Sequence, residues 1–344
     1  MRKKGLLSTV IGLGLVVVLA LALPLSACAP AAPPPAAPAP PKVYTVPITQ
    51  IVSHPALDVG RQAFYDGMAD SGFEEGVNID YIFRNAQGDM SIAKSIADYF
   101  VSLKPDLIVT ITTPNSIAMA DAIEGTGLNM VFFLVTDPVT AGIVPSWTKS
   151  APHITGFSDW ADVPAQIAYI KELMPDLKNL GIIYNAGEVN SVVQVNEVNE
   201  VAPGLGLTIV EATAAATADV YAAAQSLVGR VEAMWMPTDN TIFSAVDSVL
   251  KVAEENDIPF FGSDTNQCEA GLAAAAGTNI YGIGYVAATD MAAPILRGEA
   301  TPADIPPMKQ PPEEMRFAVN PAAAERMGLT IPQAIIDAAD EVYE

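Results

Sequence analysis

Val43-Tyr44-Thr45-Val46-Pro47-Ile48-Thr49-Gln50-Ile51 is a β-rich run, followed by a helical pattern over residues 56–71 and a second β-rich run from Val77 to Phe83. β-branched and aromatic residues suit a pleated, half-buried surface, and a 3.6-residue apolar period between two such runs marks a crossover helix. The alternation continues through strand-like runs at Leu107 to Thr112 and Met130 to Leu134, with helical patterns around 91–102 and 115–124. A unit of about 30 residues is the length of a βαβ crossover, so the strands of this region lie parallel in one sheet. Lys104-Pro105-Asp106 stops a helix just before a strand, because proline cannot continue a helix and restricts the residue before it.

An extended segment from His153 to Asp159 leads into a second series with the same rhythm: strands at Leu180 to Tyr184, Leu207 to Glu211, Ala233 to Met236 and Ile258 to Phe261. An apolar run at Leu272 to Ala276, a helical stretch from Ile283 to Leu296 and a last strand within Glu314 to Asn320 complete the chain. The fold class is therefore α/β, with two doubly wound parallel-sheet lobes. The expected division is 43–153 with 277–307 for the first lobe and 154–276 with 308–344 for the second. No charge run or flexible linker separates them, so short extended crossovers form the hinge.

Ahead of this body, Arg2, Lys3 and Lys4 precede an uncharged apolar run that ends in Leu25-Ser26-Ala27-Cys28. Residues 1–27 have the layout of a signal peptide rather than of a stop-transfer helix, in which about 20 apolar residues would be followed by charged flanks. Leu25-Ser26-Ala27-Cys28 resembles the bacterial lipobox, which implies acylation of the Cys28 thiol and an extracytoplasmic, membrane-anchored lipoprotein. Ala29 to Pro41 consists only of Ala and Pro. Such a tract favours extended polyproline geometry and would space the body roughly 40 Å from the lipid. Residues 28–42 thus read as lipidated cysteine and linker. With Cys28 acylated, Cys268 has no partner for an intrachain disulfide.

The formal charge of −22 disfavours nucleic acid and anionic lipid surfaces as partners. Hydrophobic residues make up 51% of the chain, enough to bury extensive sheet.

In open parallel sheets, ligands sit at the carboxyl ends of the strands, beside helix N-termini with free N–H groups. The strand ends here carry Thr49-Gln50 with Ser53-His54-Pro55, Asn85-Ala86-Gln87-Gly88-Asp89, Thr112-Thr113-Pro114-Asn115 and Thr136-Asp137-Pro138 in the first half. In the second they carry Asn185 through Ser191, Pro237-Thr238-Asp239-Asn240 and Ser263-Asp264-Thr265. Each has a local role open to it: Thr113 before Pro114 and Asp137 before Pro138 have the pattern of helix N-caps. Caps converging from both lobes would instead line a polar, donor-rich cleft for a small zwitterion or sugar.

Ile48 to Asp58, Asn85-Ala86-Gln87-Gly88-Asp89-Met90, Val135-Thr136-Asp137-Pro138-Val139, Tyr184-Asn185 through Gln194, and Pro237-Thr238-Asp239-Asn240-Thr241 together resemble the tryptophan/tyrosine-type substrate-binding lipoproteins of ABC transporters. The resemblance covers essentially the whole mature chain. It implies a type I periplasmic-binding fold with three interlobe crossings, a monomer that closes by a hinge on an amino-acid-like ligand, best an aromatic amino acid, and a transporter permease as partner. For such a ligand, Thr113, Asn115, Thr136 and Ser191 are candidate donors to the carboxylate. Asp239, Asp264, Asp137 and Glu188 are candidate acceptors for the ammonium, with Asp239 favoured because it lies within a matching motif. Gln50, His54, Gln87, Phe157 or Trp160 are candidates for the side-chain pocket, Trp160 being equally suited to packing at the crossover. Asn185, Asn190 and Asn240 complete the candidate site.

Other chemistry is poorly supported. Gly282-Ile283-Gly284-Tyr285-Val286-Ala287 matches G-x-G-x-x-A, but it comes late in the chain and suits a turn entering a helix. No phosphate-binding G-x-x-x-x-G-K-[ST] loop, G-x-S-x-G elbow, zinc-ligand spacing or D-x-D calcium loop occurs, and His54 and His153 have plain structural roles open to them. The expectation is a non-enzymatic receptor without cofactor or metal. A tethered receptor for a membrane sensor, or one for a non-amino-acid polar solute, would use the same fold.

Overall fold

The computed structural model describes residues 42–344, so the signal peptide, Cys28 and the Ala/Pro spacer lie outside the described residues. In the first lobe, β1 (Tyr44–Gln50), α1 (Pro55–Asp70), β2 (Ile79–Asn85), α2 (Met90–Leu103), β3 (Ile108–Ile111), α3 (Thr113–Ile123), β4 (Met130–Phe133) and β5 (Ile154–Ser158) follow one another. The second begins with α4 (Val163–Leu173), β6 (Asn179–Tyr184), α5 (Val189–Val201), β7 (Thr208–Thr213), α6 (Val220–Gln225) and β8 (Ala233–Met236). It continues with α7 (Asn240–Phe243), α8 (Val246–Glu255), β9 (Phe260–Gly262), α9 (Gln267–Ala270) and β10 (Ala274–Gly277). The chain then returns to the first lobe as α10 (Ile280–Val286), which passes through a π turn into α11 (Ala293–Arg297), and as β11 (Met308–Lys309). It ends in the second lobe with β12 (Arg316–Val319) and β13 (Glu341–Val342).

The first sheet has strand order β11-β5-β4-β3-β1-β2 and the second β13-β12-β10-β9-β8-β6-β7. Every pairing is parallel except β10 with β12. Central strands β3, β4 and β8 are buried at every residue, as expected where helices cover both faces of a parallel sheet. Phe64 on α1 stacks on Phe133 of β4 in one core, and Trp235, Phe260 and Phe261 fill the other.

One expected boundary is corrected. The expected division places Ile154–Ser158 in the second lobe, yet β5 pairs along β4, with Met130 opposite Ile154 and Phe133 opposite Phe157, so it belongs to the first sheet. Met308–Lys309 likewise pairs with β5 rather than joining the second lobe. A short apolar run carries no mark of which sheet it completes. The crossings between lobes therefore fall at residues 159–162, 278–279 and 310–315.

The Gly282–Ala287 motif is absorbed into α10 and its packing on α1. A Cβ at Gly284 would come within 2.2 Å of the Gly60 carbonyl oxygen, so the glycine is there to let two helices touch.

Candidate functional site

The carboxyl ends of both sheets face one cavity, lined from the first lobe by His54, Ala56, Leu57, Thr112, Thr113, Leu134, Thr136 and Ile280, and by Thr278 of the second crossing. Asn190, Thr238, Asn240, Phe243, Ser263 and Asp264 line it from the second lobe, and Asp159 from the first crossing. It measures about 450 Å³, part of it open to solvent. Outward lies a wider mouth, about 1670 Å³ by the same measure, which shares Thr113 and Asn240 with the cavity and adds Gln87, Asn185 and Glu188.

Local structure explains how these groups come to face inward. α1 and α3 start at the carboxyl ends of β1 and β3, and neither has a side-chain cap. Their first turns place Ala56, Leu57 and Thr113 on the cavity wall, and helix N–H groups at this end have no acceptor within the helix, Pro55 and Pro114 lacking theirs. Thr112 turns the chain from β3 into α3 at φ 81° and ψ 156°, a region that glycine alone occupies without strain. Its hydroxyl points into the buried interior without a partner.

Five lining residues hold buried polar atoms with no partner: both ring nitrogens of His54, the Thr112 hydroxyl, Asp159 Oδ1, Asn190 Oδ1 and Asp264 Oδ2. Burial pushes the His54 imidazole down to about 4, opposed by the Asp58 charge, so the ring is neutral. Burial pushes Asp159 up to about 6, the Thr136 hydroxyl partly offsetting it and the charge of Asp264 adding to it. Asp264 is raised as well, again chiefly by burial, against hydrogen bonds from Asn266. The lining carries two carboxylates and no Lys or Arg.

Of the residues expected from sequence, His54, Thr113, Thr136, Asn190, Asn240 and Asp264 meet in the cavity, while Gln87, Asn185 and Glu188 stand at the mouth. The others are placed elsewhere, Asp239 among them. Its Oδ2 accepts from the Asn185 N–H and the Ser191 hydroxyl, each at 2.6 Å, and its Oδ1 accepts from the Ile242 N–H at 2.8 Å. The carboxylate is fully committed as the N-cap of α7, and Ser191 is committed to it. Burial and the neighbouring Glu188 charge push Asp239 up to about 7. Glu188 spans the same helix start, accepting from the Asn240 and Thr241 N–H groups and from the Asn190 amide.

Gln50 binds Val52, Asp58 and Arg61 within its own lobe. Asn115 donates to Thr49, leaving its own Oδ1 buried without a partner. Asp137 caps a turn, not a helix, through the Val139 and Thr140 N–H groups. Thr113 does not cap α3 either; its hydroxyl accepts from the Thr136 N–H, and Thr112 occupies the cap position. Phe157 lies in the core of the first lobe, and Trp160 packs edge-on against Trp147 at the crossover, beside Lys309. Asp159, Thr112 and Phe243 also line the cavity and are not among the residues expected to bind: Thr112 lies in a strand-end group, Asp159 ends an apolar extended run, and Phe243 carries no such mark.

Among the described residues, no group of three or more His, Cys, Asp or Glu could hold a metal ion, and no helix is long and apolar enough to cross a membrane.

Residues 45–343 match a family model described as ABC transporter substrate binding protein. A tyrosine-binding protein of Clostridioides difficile (strain R20291) is 37% identical over 265 residues, which are 77% of this chain and 76% of that protein. The ABC domain in complex with L-Trp from Streptococcus pneumonia aligns with a TM-score of 0.83 at 29% identity, over 88% of this chain and 100% of that one. The ligand-free, open structure of a substrate binding protein with adhesive properties from Clostridium difficile aligns at 0.65 with 34% identity, over 88% and 99% of the two chains.

Proposed function

This chain belongs to the ABC transporter substrate-binding protein family, with its type I periplasmic-binding fold, and on that premise we propose that it captures a free aromatic amino acid, tyrosine or tryptophan, between its lobes. The observation that carries this reading is the set of unpartnered polar atoms on His54, Thr112, Asp159, Asn190 and Asp264 around one interlobe cavity. An orphaned buried polar group costs about 1–3 kcal/mol, so a cluster of them calls for a guest that supplies the partners.

A zwitterion matches the distribution of charge. Its carboxylate would take the open N-termini of α1 and α3, and its ammonium the free oxygens of Asp159 and Asp264. The aromatic side chain would lie among Leu57, Leu134, Phe243 and Ile280, with the His54 nitrogens available to a phenol or indole. The relatives' printed ligands, tyrosine and L-Trp, support this class.

In this reading the ligand enters as the lobes part, since residues of both lobes wall the cavity. The closer fit to the L-Trp complex than to the ligand-free, open relative supports the described conformation as the closed one. In this reading the three crossings act as a hinge, and ligand favours the closed form because closure alone brings both lobes onto it. Acylation at Cys28 would hold the protein at the outer face of a bacterial membrane, where it delivers its ligand to an ABC permease.

Two experiments test the reading. Calorimetry with L-tyrosine, L-tryptophan, L-phenylalanine and L-leucine should give a single site per chain for an aromatic member; no heat with any of the aromatic three would overturn the ligand. Cys28→Ser should release unacylated protein into the medium, and persistent membrane association would overturn the lipid tether.

A further inference from the structure

Asp159 and Asp264 reach the cavity from different bodies. Asp159 follows β5 of the first sheet, at the start of the first crossing, and Asp264 follows β9 in the second lobe. Both are almost wholly buried in the described conformation, and each keeps one oxygen without a partner. Nothing lining the cavity offers a compensating positive charge. His54, the remaining titratable group there, is neutral. Behind Asp264 stand Glu341 and Cys268, which add no positive charge either. Asn266 satisfies the other Asp264 oxygen, and the Thr136 hydroxyl is the polar neighbour of Asp159. Closing the empty cleft therefore removes two carboxylates from water and sets them against one another in a medium of low dielectric, the arrangement in which buried like charges are least tolerated.

We infer that Asp159 and Asp264 form a like-charge gate: their desolvation and mutual repulsion hold the empty lobes apart, and closure follows when a ligand ammonium is taken up between them. The inference rests on the cavity being the ligand site, and it adds a reason why the protein does not close empty. It also makes the amine obligatory. A molecule with the same carboxylate and ring but no amine leaves the repulsion in place, so it cannot close the cleft. The upward displacement of both carboxyl groups, attributed first to burial and for Asp159 also to the charge of Asp264, is the expected companion of such a gate.

The gate can be tested without any ligand. Small-angle scattering at neutral pH should show empty wild type more extended than the L-tyrosine- or L-tryptophan-saturated protein. The empty Asp159→Asn/Asp264→Asn double variant should have the compact radius of gyration of the saturated wild type, and each single variant an intermediate one. Asparagine preserves side-chain shape, and a melting curve for each variant checks that the fold is kept; should the double variant fail to fold, the single variants decide.

Empty variants as extended as empty wild type would overturn the gate while leaving the ligand reading intact. Empty wild type as compact as the saturated protein would overturn it too. In a second arm, 3-(4-hydroxyphenyl)lactate, which carries a hydroxyl in place of the amine of tyrosine, should bind wild type at least a hundredfold more weakly than L-tyrosine and leave it extended. Compaction equal to that with L-tyrosine would overturn the obligatory amine. If no aromatic amino acid compacts wild type, the ligand reading itself fails, an outcome distinct from a failed gate.

Discussion

His54 and Phe243 meet edge to face across the cleft, one ring from each lobe, with centroids 5.3 Å apart and planes at 82°. In the described conformation burial holds the imidazole down to about 4, so the ring is neutral. In the proposed hinge motion, opening would part the two rings and expose His54 to water, where an imidazole has its ordinary value of about 6.5. Closure would then require a deprotonated His54, and acid would oppose it. Ligand affinity of wild type should be flat above about pH 7 and fall, by as much as about a hundredfold, between about pH 6.5 and 4. His54→Phe should remove most of that dependence when titrated by calorimetry across the same range. A wild-type affinity that does not change over it would show that His54 stays neutral in both forms.

Asp264 and Asp239 occupy similar places in the chain and should fail differently. Asp264→Asn removes one partner of a buried charge pair and should weaken binding by at least about 2 kcal/mol, roughly thirtyfold, with little change in melting temperature. Asp239→Ala strips the cap of α7 and orphans the N–H groups of Asn185 and Ile242 together with the Ser191 hydroxyl. It should cost about 2–3 kcal/mol of stability, read by denaturant unfolding. If Asp239→Ala leaves stability unchanged and abolishes binding, the two roles have been assigned the wrong way round.

Thr112 holds a backbone conformation at φ 81° that a side chain resists, at a cost of order 1–3 kcal/mol. Thr112→Gly should therefore raise stability by about 1 kcal/mol, the gain being reduced by the greater freedom of glycine in the unfolded chain. The same change removes a hydroxyl from the cavity wall, so affinity should fall. A destabilised variant would mean that the packing of the threonine outweighs its strain.

The sequence carried the fold further than the site. Short continuous apolar runs separated by helical patterns mark β1 through β10, because burial on both faces of a parallel sheet leaves an apolar signature that needs no tertiary information. Ile154–Ser158 was assigned to the wrong lobe because pairing is a matter of which edge is free, and a strand does not encode its neighbour.

The site was legible as a set of strand ends but not as a set of roles. Asp239 and Asp264 both follow strands and precede helices, and only the structure shows that Asp239 is itself the N-cap of α7, whereas Asn266 takes the cap position of α9 and leaves one Asp264 oxygen free. Asp159 could not be reached from sequence either, for its place in the cavity depends on where the first crossing leaves the sheet.

Whether one ligand is held by both lobes at once is decided by a crystal structure of the mature protein grown with L-tyrosine or L-tryptophan. It should show a single amino acid between the lobes, with its ammonium about 2.8 Å from Asp159 Oδ1 and Asp264 Oδ2 and its carboxylate at the N-termini of α1 and α3. A ligand bound to one lobe alone, or one whose ammonium meets neither carboxylate, would contradict it.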